Sequence, residues 1–383
     1  MIKCILIFIY TINLTLLFSN DLIRIVATAN VNNEIDPCGW KKKPLGGLAR
    51  KATILDEASI GIDNFFVVDA GNLFFKSETI PDGITLETSK INAEIILESF
   101  NSMGCNVFSP GSFDFAAGVE YLQELEKISN FPFISCNILD KNNRLLFKPY
   151  IIEKKDDYNI AFIGLASTFD SQNVIVGNEI EYLLKTLQEL EGKSDFNVLL
   201  LNSNESILST IYNQKFDIDL IIRSKDRKRS SDGGNQIPTF SLGDRGKIVY
   251  QIDIDIENSN EELVDIAWCE NTIKRVNGRL DKMKKGDLLV DLREIYKDNL
   301  ATLRRIDSYE NQLLLANQKL ENSVNSLTFK KVELSKTVDG RIDILKIVDE
   351  GKLKLNSLSY PQLPPSPDDK GRLPGDPHHG HDH

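Results

Sequence analysis

Histidine is almost missing from this chain. Of 383 residues only four are histidine, and His378, His379, His381 and His383 all lie in the last six positions. The rest of the chain has no imidazole, which excludes His-based general acid–base catalysis, His-activated nucleophiles and most zinc, iron or copper centres there. Cysteine is sparse: Cys4, Cys38, Cys105, Cys136 and Cys269 are too far apart for a zinc-type spacing or a disulfide framework. Positive charge is in deficit. With 56 acidic against 45 basic side chains the formal charge is -11, which as a whole gives no footprint for wrapping nucleic acid or holding anionic lipid. Beyond residue 20 no apolar run approaches membrane-spanning length.

What is present describes a soluble globular protein: 41% apolar and 26% charged residues suffice for a buried core. Residues 1–20 have the pattern of an export signal, with Lys3 ahead of an apolar run from Cys4 to Phe18. An uncleaved amphipathic start or a buried first strand is the alternative. Export predicts a periplasmic or secreted protein with no stable membrane span once the signal is cleaved.

Residues 21–280 alternate short apolar runs with amphipathic stretches, the pattern of an α/β domain. Strands are expected at 23–27, 65–69, 106–109, 133–136, 159–163, 197–201, 218–222 and 248–256. The clearest helix is 91–103, closed by Gly104. From 287 to 339 there is neither Gly nor Pro, and Leu289, Leu292, Tyr296, Leu303, Ile306, Leu313, Leu320 and Leu327 keep a 3–4 spacing. This predicts one long helix with a coiled-coil seam. Forty such residues would reach roughly 60 Å, so residues 288–327 are expected to pair with a second copy or another protein, or to lie along their own domain. The expected helical extension covers 281–358, with a short strand at 328–334 and a helix at 342–355. The Pro- and His-rich tail, 359–383, is expected to be disordered. Its histidines could gather Zn, Cu or Ni weakly, or have no role.

Several segments in order carry a resemblance: Pro44-Leu-Gly-Gly-Leu-Ala-Arg-Lys-Ala52, Phe66-Val-Val-Asp-Ala-Gly-Asn72, Asn92-Ala-Glu94, Pro110-Gly-Ser-Phe-Asp-Phe-Ala-Ala-Gly118, Phe131-Pro-Phe-Ile-Ser135 and Phe162-Ile-Gly-Leu165. Over residues 21–260 the chain resembles the 5′-nucleotidase and UDP-sugar hydrolase branch of the metallophosphoesterases. The resemblance implies a sandwich of two mixed β-sheets flanked by helices, with a site at the carboxyl ends of the strands. It also implies phosphoester hydrolysis by two bridged divalent cations.

The ligands do not carry over. The family's opening Asp and His fall on Asn30 and Asn32, and its bridging Asp falls on Asn72. Its Gly-Asn-His-Glu box becomes Gly111, Ser112, Phe113 and Asp114. Its later Ser-His matches Asn202 and Ser203, and its Gly-His-x-His box reads Ser224, Lys225, Asp226 and Arg227. Two dications about 3.5 Å apart repel by roughly 19 kcal/mol even at an effective dielectric of about 20, which a neutral amide at the bridge does not offset. No dinuclear site is expected. A divalent metal enters only if hydrolase activity has been kept with a rebuilt site. Cys105 and Cys136 read as packing residues, Asp69 as a loop carboxylate and Asp114 as a carboxylate that could simply be exposed. Gly46, Gly47 and Arg50 read as a tight turn into a helix that could also cradle an anion.

The loop Asn32-Asn-Glu-Ile-Asp-Pro-Cys38-Gly39-Trp40 ahead of Pro44-Leu-Gly-Gly47 is similar to a UDP-sugar-hydrolase-like (seleno)protein branch. There two chalcogens flank one Gly, and a thiol beside Lys41, Lys42 and Lys43 suits redox work. Trp40 breaks that chemistry unless its codon is a misread selenocysteine; a real Trp beside a lone thiol is the equal alternative. The function expected is therefore a thiol or selenol redox protein using Cys38 and position 40. A non-catalytic scaffold associating through 288–327 comes next, and a metal-dependent phosphoester hydrolase last.

Overall fold

The computed structural model describes residues 22–39, 42–155, 158–225, 229–231, 237–258, 260–287 and 289–359. The expected export signal, Trp40, Arg227 and the four histidines fall outside them.

Two six-stranded mixed sheets lie face to face. The first runs, in spatial order, Leu263–Asp265, Asn325–Glu333, Ile248–Asp255, Ile23–Thr28, Asn64–Asp69, Val107–Phe108. The second runs Arg229–Ser231, Thr239–Leu242, Leu220–Ser224, Phe196–Asn202, Tyr158–Ala166, Tyr150–Lys155. Ile25, Ala27, Phe66 and Val68 of the first sheet meet Phe162, Val198, Leu200 and Ile222 of the second in the middle layer. The alternate residues, such as Val26 and Val67, turn outward onto helices Leu48–Ser59, Leu86–Ser102, Val119–Ile128 and Ile342–Ser359. Leu199, Leu201 and Ile221 likewise meet helices Glu179–Leu190 and Glu205–Gln214. Because both faces are covered, the central strands read as unbroken apolar runs. The expected metallophosphoesterase-type α/β sandwich is the fold observed.

Most expected strands are present within one or two residues; Phe133 and Ile134 make only isolated bridges. The helix expected at 91–103 spans 86–102, with Thr85 as its N-cap and Gly104 at φ 72° just past its end. Chain 23–28 pairs parallel to 64–69, and 158–166 parallel to 196–202 and that strand to 220–224. The loops leaving their carboxyl ends therefore converge.

The carboxyl-terminal third differs from expectation. Instead of one helix through 287–327 there are Ile266–Met283, a single turn Leu292–Ile295 and Leu300–Glu321. Two side chains stop the helix from continuing. Asp291 accepts from the Arg293 amide at 2.8 Å and Asn299 from the Thr302 amide at 3.0 Å, each starting a new segment. The 22-residue helix 300–321, about 33 Å long, folds back antiparallel on 266–283, with Ala316 and Leu320 against Cys269 and Ile273. The apolar seam is thus met by the chain's own preceding helix. Nor does residue 281 open a separate extension: strand 325–333 lies between 248–255 and 263–265 in the first sheet. Helix 342–359 packs on 86–102, where Gly351 lies so close to Ile95 that a Cβ would clash. Arg341 fixes its start through Asp56 at 2.7 Å and Asp343 at 2.8 Å.

Candidate functional site

At the carboxyl ends of the strands a cleft of about 320 Å³ is lined by Asn30, Asn72, Phe113, Lys76, Lys225 and Arg245, among others. Its walls come from loops far apart in sequence. Their backbones are unusual: Asn30, Asn32, Asn72, Lys225 and Arg245 have φ of 52°, 55°, 56°, 63° and 58°. Asn tolerates this left-handed region, but Lys and Arg rarely adopt it, and such strain gathers at functional sites.

The structure brings Asn30, Asn72, Ser112, Phe113, Asn202 and Lys225 together and joins them by hydrogen bonds. Asn72 Nδ2 donates to Asn30 Oδ1 at 3.1 Å, which also accepts from the Lys225 amide at 3.2 Å. Asn72 Oδ1 accepts from the Phe113 amide, and Asn202 Oδ1 from the Ser112 amide, both at 3.2 Å. Asn202 Nδ2 donates to Ser224 Oγ at 2.7 Å, and that hydroxyl donates on to the Ala70 carbonyl at 2.5 Å. Asn30 Nδ2 bonds the Gly243 carbonyl. Gly111 is required here, since a Cβ would overlap both the Asn202 and Asn72 amides. Asn32 holds the Asn72 carbonyl through its backbone amide at 2.9 Å. Its Oδ1 and Ser112 Oγ are buried without hydrogen-bond partners.

The two carboxylates beside this network serve the loops. Asp114, read from the sequence as open to solvent, is instead fully buried. It accepts four backbone amides, from Asn72, Leu73, Phe74 and Gly111, each at 2.8 Å. Burial pushes its pKa up to about 7 against the pull of those amides. Asp69 accepts from Thr28 Oγ1 at 2.5 Å and from the Gly71 amide at 2.9 Å, and burial raises its pKa. This donor set does not fit a pair of dications. Its open oxygens are neutral, its carboxylates are spent on backbone amides, and Lys225 brings a cation into the same space. Among the described residues no three His, Cys, Asp or Glu side chains are grouped to hold a metal.

Of the charges here, Lys225 was legible in the sequence, whereas Lys76, Arg245 and Lys51 were not. Lys225 Nζ donates to Ser167 Oγ at 3.1 Å and lies 4.0 Å from Glu78. Lys76 is 3.8 Å from Glu34, and Arg245 is 4.0 Å from Glu34. Beneath the floor Lys51 is 1% exposed, its Nζ has no hydrogen-bond partner, and it lies 5.0 Å from the Phe100 ring centroid. Burial lowers its pKa to about 8 despite the Asp69 charge. Lys76, Arg245 and Lys51 are scattered among loops and one helix, so no local motif announced them.

Cys38, expected in a redox loop, is half-buried; its backbone bridges Leu45. The Arg245 side chain lies beside Cys38 and Glu34, which raise the arginine pKa further. The sulfur thereby shares a partner with the cleft. Lys352 reaches Asp36 of the same loop at 2.6 Å. Cys105, Cys136 and Cys269 are buried packing residues. The Gly46–Gly47 turn does lead into a helix, but the Gly46 and Leu48 amides already donate to Leu334 and Ile35 carbonyls. Little remains there for an anion.

A two-sheet sandwich with loops converging at the carboxyl strand ends defines a calcineurin-like phosphoesterase fold. Among solved structures it is similar to a 5′-nucleotidase precursor from Thermus thermophilus, with TM-score 0.59 and 13% identity over 88% of this chain and 60% of that one. It is also similar to the calcineurin-like phosphoesterase YfkN from Bacillus subtilis, with TM-score 0.53 and 18% identity over 63% and 87%. By sequence it is 31% identical to Protein UshA of Escherichia coli over 123 residues, 32% of this chain and 22% of that protein. It is 28% identical to the 2',3'-cyclic-nucleotide 2'-phosphodiesterase/3'-nucleotidase of Haemophilus influenzae over 185 residues, 44% of this chain and 28% of that protein. The chain thus matches about a quarter of these curated relatives' length. No family model matches. The chain shares the fold of the 5′-nucleotidase-like metallophosphoesterases and resembles them in sequence over about a third of its length.

Proposed function

We propose that this chain is a binding protein on a metallophosphoesterase scaffold, with the dinuclear metal site given up. The observation that carries this is the amide pair Asn30–Asn72, with each side chain hydrogen-bonded to its surroundings where the family needs charged metal ligands. Neutral amides would leave the repulsion between two dications unopposed. The cleft retains Lys76, Lys225 and Arg245, with Glu34 and Asp244 beside them, around a polar floor, which suits a polar ligand. Metal analysis of protein lacking the His-rich tail, with turnover of a generic phosphodiester in added Mn²⁺, is the test. We expect substoichiometric metal and no turnover above blank; about two metals per chain with robust turnover would restore the hydrolase reading.

A second reading is redox chemistry at Cys38-Gly39-Trp40, in keeping with the (seleno)protein branch. The proximity of Arg245 to Cys38 favours it, because it puts a guanidinium near the sulfur beside the cleft. Codon 40 decides whether a second chalcogen exists: UGA with a downstream selenocysteine-insertion hairpin supports it, and UGG leaves a lone thiol that could form a mixed disulfide but not resolve one.

Export and association belong to the same proposal. No helix among the described residues is long and apolar enough to cross a membrane. Amino-terminal sequencing of the mature protein should find cleavage near residue 20. Leu314 and Leu315 leave an apolar edge on helix 300–321 for a partner, which cross-linking through 288–327 would capture.

A further inference from the structure

The two walls of the cleft are held very differently. On one side the loop 243–246 is tied down through its backbone: the Gly246 amide donates to the Asn30 carbonyl at 2.8 Å, and Asn30 Nδ2 reaches the Gly243 carbonyl. On the other side stand Lys76, Ser77 and Pro81, from the irregular connection between strand 64–69 and helix 86–102. Among the described residues no hydrogen bond from 76–83 reaches the rest of the molecule. Its bonds are local: Ser77 Oγ donates to the Thr79 carbonyl at 2.7 Å, and the Ile84 amide to the Pro81 carbonyl at 3.2 Å. Lys76, Glu78, Thr79, Asp82 and Gly83 are exposed.

Two ion pairs and one apolar side chain hold this segment over the cleft. Lys76 lies 3.8 Å from Glu34, and Glu78 lies 4.0 Å from Lys225. Their partners across the cleft are steadied in turn, Glu34 by Arg245 at 4.0 Å and Lys225 by Ser167 Oγ at 3.1 Å. Partly exposed pairs at such distances hold weakly and are screened by salt. Ile80 is half-buried against the outer core cluster. The ends of the segment are firm by contrast. Phe75 is 1% exposed and meets the Tyr121 ring at 6.3 Å, and Thr85 Oγ1 accepts from the Thr88 amide at 3.1 Å to cap helix 86–102. Gly83, at φ 81° with open space where a Cβ would be, can serve as a pivot beside the second anchor. Exposed backbone, few apolar contacts and firm ends are the marks of a segment that opens locally, and long connections without regular structure commonly cover sites in this way.

We propose, resting on the reading of the cleft as a binding site, that segment 76–83 is its lid, latched across the cleft by Lys76–Glu34 and Glu78–Lys225. Ligand entry then requires an opening that salt favours. A nitroxide on Thr79→Cys in a Cys38→Ser background reads lid mobility by electron paramagnetic resonance. Mobility should rise with salt; K76Q/E78Q should be mobile already at low salt and indifferent to more, and K76R should behave as the parent. Access is read separately by a bulky maleimide on Phe113→Cys, a half-buried position lining the same cleft, followed on its own peptide by mass spectrometry. At low salt K76Q/E78Q should speed that labelling at least about threefold. Both latch substitutions are at exposed positions, so circular dichroism should be unchanged, and the nitroxide arm stands if Phe113→Cys folds poorly. Mobility independent of salt, mobility unchanged in K76Q/E78Q, or labelling of folded Phe113→Cys unchanged by the freed segment overturns the lid. Each of these leaves metal content as it was, whereas two metals per chain would sink the binding reading without altering the mobility of the segment.

Discussion

Asn72 Nδ2 donates to Asn30 Oδ1 at 3.1 Å, so the two loops at the carboxyl ends of the central parallel strands are joined directly by their amides. Converting Asn72 to Asp should replace a hydrogen bond with two facing acceptors in a buried site. Thermal denaturation should report a loss of about 1–3 kcal/mol. Added Mn²⁺ should not restore it, and restoration would mean the pocket still accommodates a metal.

Lys51 supplies a prediction with a sign. Its folded pKa of about 8 is below the ordinary 10.5, so between these pH values the unfolded chain binds the proton more tightly. Stability from this group should therefore rise as pH climbs from 8 toward 10.5. The difference between wild type and Lys51→Met in urea unfolding should shift across that window by up to about 3 kcal/mol. A flat difference would place the ammonium in a far better solvated position than the structure does.

Among the described residues Cys38 is a half-buried thiol and Cys105, Cys136 and Cys269 are buried. Alkylation of the folded protein should label Cys38 first, and Arg245→Gln should slow labelling several-fold by removing the guanidinium beside the sulfur. Mass spectrometry of the labelled peptide reads both. Unchanged labelling in Arg245→Gln would separate the thiol from the cleft.

A chain ending at 280, where composition suggests a boundary, should fail to fold. It would leave strand 248–255 without its 325–333 neighbour and uncover Leu334, Ile344 and Val348 from the core. Loss of near-ultraviolet dichroism and aggregation on expression are the expected signs.

The central strands were legible because both their faces are buried, so apolar residues run on without alternation at 23–28, 64–69 and 196–202. The carboxyl-terminal helices were misjudged for a physical reason. Asn299 and Asp291 read the same within a helix as at an N-cap, and only the fold shows which amide each side chain meets.

The sequence by itself determined that no histidine precedes residue 378 and that amides stand at Asn30, Asn32 and Asn72. Residue type alone sets what a side chain can coordinate. Only the tertiary structure decided that those amides satisfy one another, that Asp114 is spent on four backbone amides, and that Arg245 lies near both Cys38 and the cleft. These are contacts between loops tens to hundreds of residues apart, and they exist only because the parallel strands deliver their carboxyl ends to one place.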